Sequence, residues 1–189
     1  MKNLNFIPLN NTTTNEYKEV ISSCKAIFGK KTQDYGTAWR ILRLSSITDQ
    51  IFIKAKRIRS IQEKGTQKVE DDIRGEFIGI INYGVMALIQ MDLRDDDRLE
   101  IPYSELEPIY DKKVEETMAL LANKNHDYDE AWRDMRVSSM TDIVLMKLYR
   151  VKQIEDNQGK TLISEGIDAN YQDIINYCVF CMILMKAEA

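Results

Sequence analysis

Two stretches of the chain carry the same set of charged and aromatic side chains. Asp34 to Arg57 reads DYGTAWRILRLSSITDQIFIKAKR, and Asp127 to Arg150 reads DYDEAWRDMRVSSMTDIVLMKLYR. Each stretch ends in a Lys-x-x-Arg pair, which a helix places on one face. Such cations either hold phosphate oxygens or form internal ion pairs with the repeated aspartates. The candidates for phosphate binding are Arg43, Lys54, Arg57, Arg136, Lys147 and Arg150.

The acidic and hydroxyl residues of these stretches have a structural interpretation. Ser46 and Ser139 each precede an aspartate by three positions, at the start of an apolar helical pattern. This spacing is typical of a capping box, in which the serine is the N-cap. Asp34 and Asp127 are predicted N-caps as well. Core packing or pseudo-dimer contacts are the corresponding interpretation of the aromatic residues, Tyr35, Trp39, Tyr128 and Trp132.

The best acid cluster lies in the second half of the chain. Glu165 and Asp168 are three positions apart on one helix face, and Asp173 follows one to two turns later. Mg²⁺ prefers a few carboxylates together with phosphate oxygens of a substrate. A solvated acidic face is the alternative interpretation. The aligned positions of the first half are Asp71, Arg74 and Gly79, and only Asp71 is an acid.

The chain is an internal duplication. Of the 27 positions from Lys31 to Arg57, 13 are identical at an offset of 93, for example Trp132 − Trp39 = 93. Farther on the offset is 94, since Asn176 − Asn82 = 94. Two copies are too few for a solenoid. They indicate a fused dimer, in which a pseudo-two-fold axis replaces the symmetry of a homodimer.

Apolar residues follow a helical period in both copies, and no segment alternates as a strand does. We predict an all-α fold with three main helices per copy and a short helix around Ala38–Leu44 and Ala131–Val137. The predicted segments are a polar arm at 1–14, helical repeats at 16–91 and 109–185, and a linker at 92–108.

The composition of the chain argues against several classes of function. The chain has 189 residues, a formal net charge of −4, and 26 basic residues spread along its length, so nucleic acid is an unlikely partner. No apolar run reaches the ~18 residues of a membrane span, and the N-terminal segment lacks the pattern of a signal peptide. Cys178 and Cys181 lie inside an apolar run, which indicates burial. We expect a cytoplasmic protein.

The combination K-x-x-D-Y-G-x-A-W-R, S-S-I-T-D, K-x-x-R-I and I-I-N-Y resembles the nucleotide modification associated domain family, in two tandem copies. That family is similar, more distantly, to the all-α nucleoside triphosphate pyrophosphatases of the MazG-like and dimeric dUTPase group. The resemblance implies a helical bundle that binds Mg²⁺ through E-x-x-E and E-x-x-D helices and releases pyrophosphate. This chain lacks the first of these motifs, because each corresponding helix has a single acid, Asp49 or Asp142.

The resemblance implies a Mg²⁺-dependent nucleotide hydrolase, with Glu165 and Asp173 as its catalytic residues. The candidate metal ligands are Glu165, Asp168, Asp173, Asp142 and Asp49. Tyr35, Trp39, Tyr128 and Trp132 are the candidates for stacking on the base. We expect a composite site, with acids from the second copy and Asp173→Asn removing hydrolysis without changing stability.

Two other functions are consistent with the sequence. One is a nucleotide-binding or regulatory module without turnover, and the other is a helical scaffold. A nucleotide is the expected partner, the two copies form a pseudo-dimer within the chain, and homodimerisation is left open.

Overall fold

The computed structural model describes residues 11–65, 72–128, 130–161, 163 and 165–187. These residues form six long helices and two short 3₁₀ helices, and contain no strand, which confirms the predicted all-α fold. The long helices are α1 (Asn11–Tyr35), α2 (Leu44–Lys64), α3 (Ile73–Asp92), α4 (Tyr103–Tyr128), α5 (Val137–Asp156) and α6 (Ile167–Ala187). The short helices are Ala38–Ile41 and Ala131–Asp134, close to the predicted positions.

The second half repeats the element order of the first half. The first repeat contains α1 to α3 and the second contains α4 to α6, with a short helix between the first two long ones in each. Helices α3 and α6 pack against each other at the centre, and α2 packs against α5. Helix α1 contacts α6, and α4 contacts α3, so each repeat covers the central helix of the other. These reciprocal contacts are those of a pseudo-two-fold bundle.

Two segment boundaries differ from the sequence prediction. Helix α1 begins at Asn11, inside the predicted arm of residues 1–14, whose first ten residues lie outside the described part of the chain. Helix α4 begins at Tyr103, so the last six residues of the predicted linker are helical. The carbonyl of Pro102 accepts hydrogen bonds from Glu105 and Leu106, which starts the helix. Pro108 lies inside this helix, in its second turn, where it removes one backbone hydrogen bond to the carbonyl of Ser104.

The predicted serine caps are wrong. Helix α2 begins at Leu44 and α5 at Val137, so Ser46 and Ser139 lie inside the first turn. The N-cap of α2 is Arg43, whose extended backbone (φ −64°, ψ 155°) follows the short helix and whose carbonyl accepts from Ser46 N. The sequence alone did not locate where the 3₁₀ helix ends.

The two predicted aspartate caps are wrong as well. Asp34 lies in the last turn of α1, and Asp127 lies in the last turn of α4. The residues that precede the short helices are instead Thr37 and Glu130.

Two buried tyrosine–asparagine pairs join the repeats. The Tyr17 hydroxyl donates to Asn176 Oδ1 at 2.8 Å, and the Tyr110 hydroxyl donates to Asn82 Oδ1 at 2.9 Å. Both tyrosines are fully buried. Each asparagine also donates to a carbonyl on the first helix of its own repeat, Asn82 to Cys24 and Asn176 to Thr117. The same connection among three helices therefore occurs twice, once on each side of the pseudo-two-fold axis.

The α2–α5 interface has a similar reciprocal pattern. Gln62 donates to the Thr141 hydroxyl at 3.1 Å, and the Thr48 hydroxyl donates to Glu155 at 2.7 Å. Gln62 and Glu155 occupy equivalent positions, since 155 − 62 = 93. Burial raises the pKa of Glu155, while the hydrogen bond from Thr48 acts in the opposite direction.

Within the described ranges, no helix has both the length and the apolar content needed to cross a membrane.

Candidate functional site

A cavity of about 340 Å³ lies between α1, the first short helix, α2 and α3. We call it the Trp39 cavity. Its described lining comes from the first repeat alone and combines aromatic rings with cationic and amide side chains. The lining residues used below are Lys31, Tyr35, Trp39, Lys54, Gly79 and Met86. Gln50, Tyr83 and Asn82 also border the cavity.

The linker between the repeats holds the short helix that carries Trp39. The Thr37 hydroxyl donates to the Leu99 carbonyl at 2.6 Å and accepts from the Ile101 N–H at 3.0 Å. Gly36 has a φ of +65°, and a β-carbon at this position would collide with the Glu100 carboxylate. Only glycine meets both conditions without strain.

Arg40 provides the second attachment of this short helix. It is 7% exposed, and its guanidinium donates to Gln90 and to the carbonyls of Leu93, Asp96 and Arg98. Trp39 is consequently fixed in place, 8% exposed, and lines the cavity. Tyr35, at the end of α1, is 56% exposed.

The cations of the first repeat form an internal ion-pair cluster. Lys54 Nζ lies 3.1 Å from Glu76 Oε2, and Arg57 donates to the other oxygen of the same carboxylate. Glu76 is buried, and two cations share its single negative charge. Lys54 of this cluster also lines the Trp39 cavity. The repeated cations thus do form ion pairs, although with an acid of the third helix rather than with the repeated aspartates.

The second repeat has a related ion pair. Lys147 Nζ lies 2.7 Å from Asp173 Oδ2, and both side chains are about nine-tenths buried. Arg150 is exposed and makes no hydrogen bond or ion pair with the described part of the chain. The predicted catalytic Asp173 is therefore held against a predicted phosphate-binding lysine.

The acid occupies different positions in the two repeats. Asp173 aligns with Gly79, since 173 − 79 = 94, and Glu76 aligns with Asn170, since 170 − 76 = 94. The partner of the lysine has thus moved by three residues, or about one helical turn. In the first repeat, a β-carbon at Gly79 would lie 2.8 Å from Lys54 Cε, so glycine leaves room for the lysine chain.

The two tryptophans differ in what covers them. The Trp132 ring stacks on Phe180, with a centroid distance of 4.2 Å and an interplanar angle of 5°. The Arg133 guanidinium lies 4.4 Å from the Trp132 ring centroid. Phe180 aligns with Met86, since 180 − 86 = 94. Within the described chain, no aromatic ring stacks on Trp39, and the indole nitrogens of both tryptophans lack a hydrogen-bond partner.

The predicted metal ligands on the second helices pair with cations of the opposite repeat. Asp49 lies 2.6 Å from Lys152, and Asp142 lies 3.4 Å from Arg59. These exposed pairs are equivalent across the pseudo-two-fold axis, because 152 − 59 = 93. These ion pairs give both aspartates a structural role, which replaces the predicted role in a capping box.

The predicted acids are not gathered into a metal site. Glu165 and Asp168 are exposed near the start of α6, whereas Asp173 is buried against Lys147. No three Asp, Glu, His or Cys side chains among the described residues lie close enough together to hold an ion. The donor set of the described residues therefore does not fit Mg²⁺. Magnesium binding stays a prediction.

The remaining predicted residues lie apart from the Trp39 cavity. Arg43 and Arg136 are exposed N-cap residues of α2 and α5. Glu165 and Arg150 border a shallow depression in the second repeat. The side chain of Tyr128 lies outside the described residues.

Sequence comparison of the copies noted Gly79 only as a position without an acid, and it missed Met86. Both are positions where the repeats differ, and that difference is the signal that could have identified them.

The cysteines are structural. Cys178 and Cys181 are buried in α6, as expected from their apolar surroundings. Burial raises the pKa of the Cys181 thiol to about 12, which makes it a poor nucleophile.

The fold and the paired sites define a tandemly duplicated helical protein, and the Trp39 cavity lies in its first copy. The sequence profile of nucleotide modification associated domain 1 matches residues 31–91 and 124–185, and the chain belongs to this family with two copies of the domain. Comparison with curated proteins and with solved structures gave no match. The more distant similarity to MazG-like enzymes has no support in these comparisons.

Proposed function

We propose that the protein binds a nucleotide in the Trp39 cavity. The observation that carries the proposal is the combination of an indole ring that no described ring covers with two lysines on the same cavity. Lys54 lines the cavity and is paired with Glu76. Lys31 is exposed and has no hydrogen bond or ion pair within the described chain.

The chemistry of these side chains suits a nucleotide. Stacking of a base on an aromatic ring is worth about 1–3 kcal/mol and tolerates any base. Lysine ammonium groups attract phosphate oxygens as point charges. A cavity of about 340 Å³ falls in the range of small-molecule sites. The family's association with nucleotide modification gives independent support to this ligand class.

Pyrophosphate release with Mg²⁺ is the finer form of this proposal. Binding without turnover has the stronger support, because Asp173 forms an ion pair with Lys147 and the described acids do not form a cluster that could hold a metal ion. A ligand that brings its own Mg²⁺ on its phosphates would need no preformed carboxylate cluster.

A thermal-shift panel tests the proposal. Ribo- and deoxyribonucleoside mono-, di- and triphosphates are added with and without Mg²⁺, and the released pyrophosphate is measured in parallel. A ligand present at about a hundredfold excess over its Kd stabilises the fold by about 2.7 kcal/mol. For a chain of this length the expected shift in Tm is about 5–10 °C.

The outcomes separate the candidate functions. Shifts without pyrophosphate release support a binding module, and metal-dependent release establishes the hydrolase. Inorganic phosphate and free nucleosides are the controls for charge alone and for the ring alone. If no nucleotide shifts Tm at any concentration up to the millimolar range, the protein is not a nucleotide-binding module and the scaffold alternative gains support.

A further inference from the structure

Gln50 borders the Trp39 cavity from α2 with a carboxamide that the fold does not use. Its side chain is half-buried and makes no hydrogen bond within the described chain. Three other polar side chains of the lining bond to the protein itself, namely Thr32, Asn82 and Lys54. The amide of Gln50 is therefore available to a ligand in the cavity.

The second helix of a repeat does not need an amide at this position. Gln50 aligns with Ile143, since 143 − 50 = 93, and each is the seventh residue of its helix. Ile143 is half-buried as well, so an apolar side chain suits the same place on α5. Gln50 lies four residues before Lys54 and hence on the same face of α2. The described contacts give the amide no structural role on that face.

A carboxamide has the hydrogen-bonding groups that match the edge of a nucleobase. It presents an N–H donor and a carbonyl acceptor side by side. Base edges also present neighbouring donors and acceptors, and glutamine bonds to such a pair on adenine with both of its groups. A phosphate offers acceptors alone, so it would use only the donor side of the amide. The chemistry of Gln50 therefore suits the base better than the phosphates.

We infer that Gln50 binds the hydrogen-bonding edge of the base and determines which base the site prefers. Stacking on Trp39 tolerates every base, because every base has a flat aromatic face. Discrimination then comes from the amide, which distinguishes the exocyclic groups of the bases. This inference rests on the proposed function and adds the residue that sets its specificity.

Gln50→Ile, which copies the residue of the second repeat, tests the contact. Titration calorimetry compares the best nucleotide of the panel with an analogue that keeps its ring and phosphates but lacks the exocyclic group of the base. The unmodified protein should bind the nucleotide about tenfold more tightly than the analogue, and Gln50→Ile should remove this difference. A purely structural effect would weaken both ligands equally and leave their ratio unchanged. Ile143→Gln is the matched control and should change neither affinity.

Gln50→Glu tests the direction of the hydrogen bonds. A carboxylate only accepts, and guanine is the base whose edge presents two neighbouring donors, N1–H and N2–H₂. The variant should raise the affinity for the guanine nucleotide relative to the other three bases by about tenfold. All four nucleotides carry the same phosphates, so repulsion by the added charge cancels in these ratios. Gln153→Glu adds the same charge to an exposed position of α5 and should leave the ratios unchanged.

A measurement on the unmodified protein keeps the inference testable if a variant fails to fold. In protein carrying ¹⁵N-labelled glutamine, the side-chain amide signal of Gln50 should shift when the nucleotide binds. Inorganic phosphate should leave this signal in place, because it lacks a base. Assignment uses Gln50→Glu.

The inference is overturned if the nucleotide saturates the protein without moving the Gln50 amide signal. It is also overturned if Gln50→Ile preserves the ratio between nucleotide and analogue, or if Gln50→Glu leaves the preference among the bases unchanged. Each of these results leaves nucleotide binding itself intact. Absence of nucleotide binding to the unmodified protein overturns the proposed function together with this inference.

Discussion

Asp173→Asn is expected to lower Tm by about 6–20 °C, because it leaves the Lys147 ammonium buried without a countercharge. The two groups lie 2.7 Å apart, and each side chain is only about one-tenth exposed. Removing one partner of a buried ion pair costs about 3–5 kcal/mol, and each kcal/mol shifts Tm by about 2–4 °C in a chain of this size. Thermal unfolding followed by circular dichroism measures the change.

Two variants control this experiment. Asp142→Asn removes an acid from an exposed pair with Arg59 and should change stability by less than about 1 kcal/mol. Adding Lys147→Met to Asp173→Asn removes the stranded charge and should recover most of the loss. A Tm of Asp173→Asn within about 2 °C of the unmodified protein would contradict the structural role. It would return Asp173 to the role of metal ligand that the sequence suggested, for which we expected no loss of stability.

Asn82→Ala is expected to cost about 1.5–4.5 kcal/mol, because it leaves one buried polar group without a partner and removes a second hydrogen bond. The Tyr110 hydroxyl loses its acceptor, and the Cys24 carbonyl loses its side-chain donor but keeps its place in the backbone ladder of α1. The side chains of Tyr110 and Cys24 are both fully buried. Chemical denaturation gives the free energy of unfolding directly.

The pseudo-two-fold axis supplies the control for this prediction. Asn176→Ala removes the equivalent bonds to Tyr17 and Thr117 and should cost a similar amount. Tyr110→Phe removes only the hydroxyl and should cost about 1–3 kcal/mol. If Asn82→Ala is as mild as a surface substitution, at about 0.5 kcal/mol or less, the paired network does not hold the repeats together.

The fold could be predicted because it depends on patterns that one sequence contains in full. The helical period of the apolar residues marks the long helices, and the offset of 93 to 94 between the copies marks the duplication. The caps could not be placed, because a short 3₁₀ helix shifts the N-cap of α2 from Ser46 to Arg43. That shift depends on the attachment of Thr37 and Arg40 to the linker, which is a tertiary contact.

The candidate site was harder to predict, because residues that are identical in the two copies have different neighbours in the structure. Trp39 and Trp132 occupy equivalent positions in the two copies and both are buried, yet Phe180 stacks only on Trp132. The neighbour that makes this difference comes from the third helix, whose register against the short helix is not visible in the sequence. The same register decides that Glu76 partners Lys54 in one repeat while Asp173 partners Lys147 in the other.

The central claim is that the nucleotide binds beside Trp39 and not beside Trp132. The chain contains only these two tryptophans, so Trp132→Phe and Trp39→Phe each leave a single fluorescent reporter. Titration of the Trp132→Phe variant with the best nucleotide of the panel should quench the emission of Trp39, with saturation at one nucleotide per chain. The Trp39→Phe variant should show no change over the same concentrations, because the Phe180 ring already covers Trp132. Quenching of Trp132 in the Trp39→Phe variant, with no response from Trp39 in the other, would contradict the assignment of the site to the first repeat.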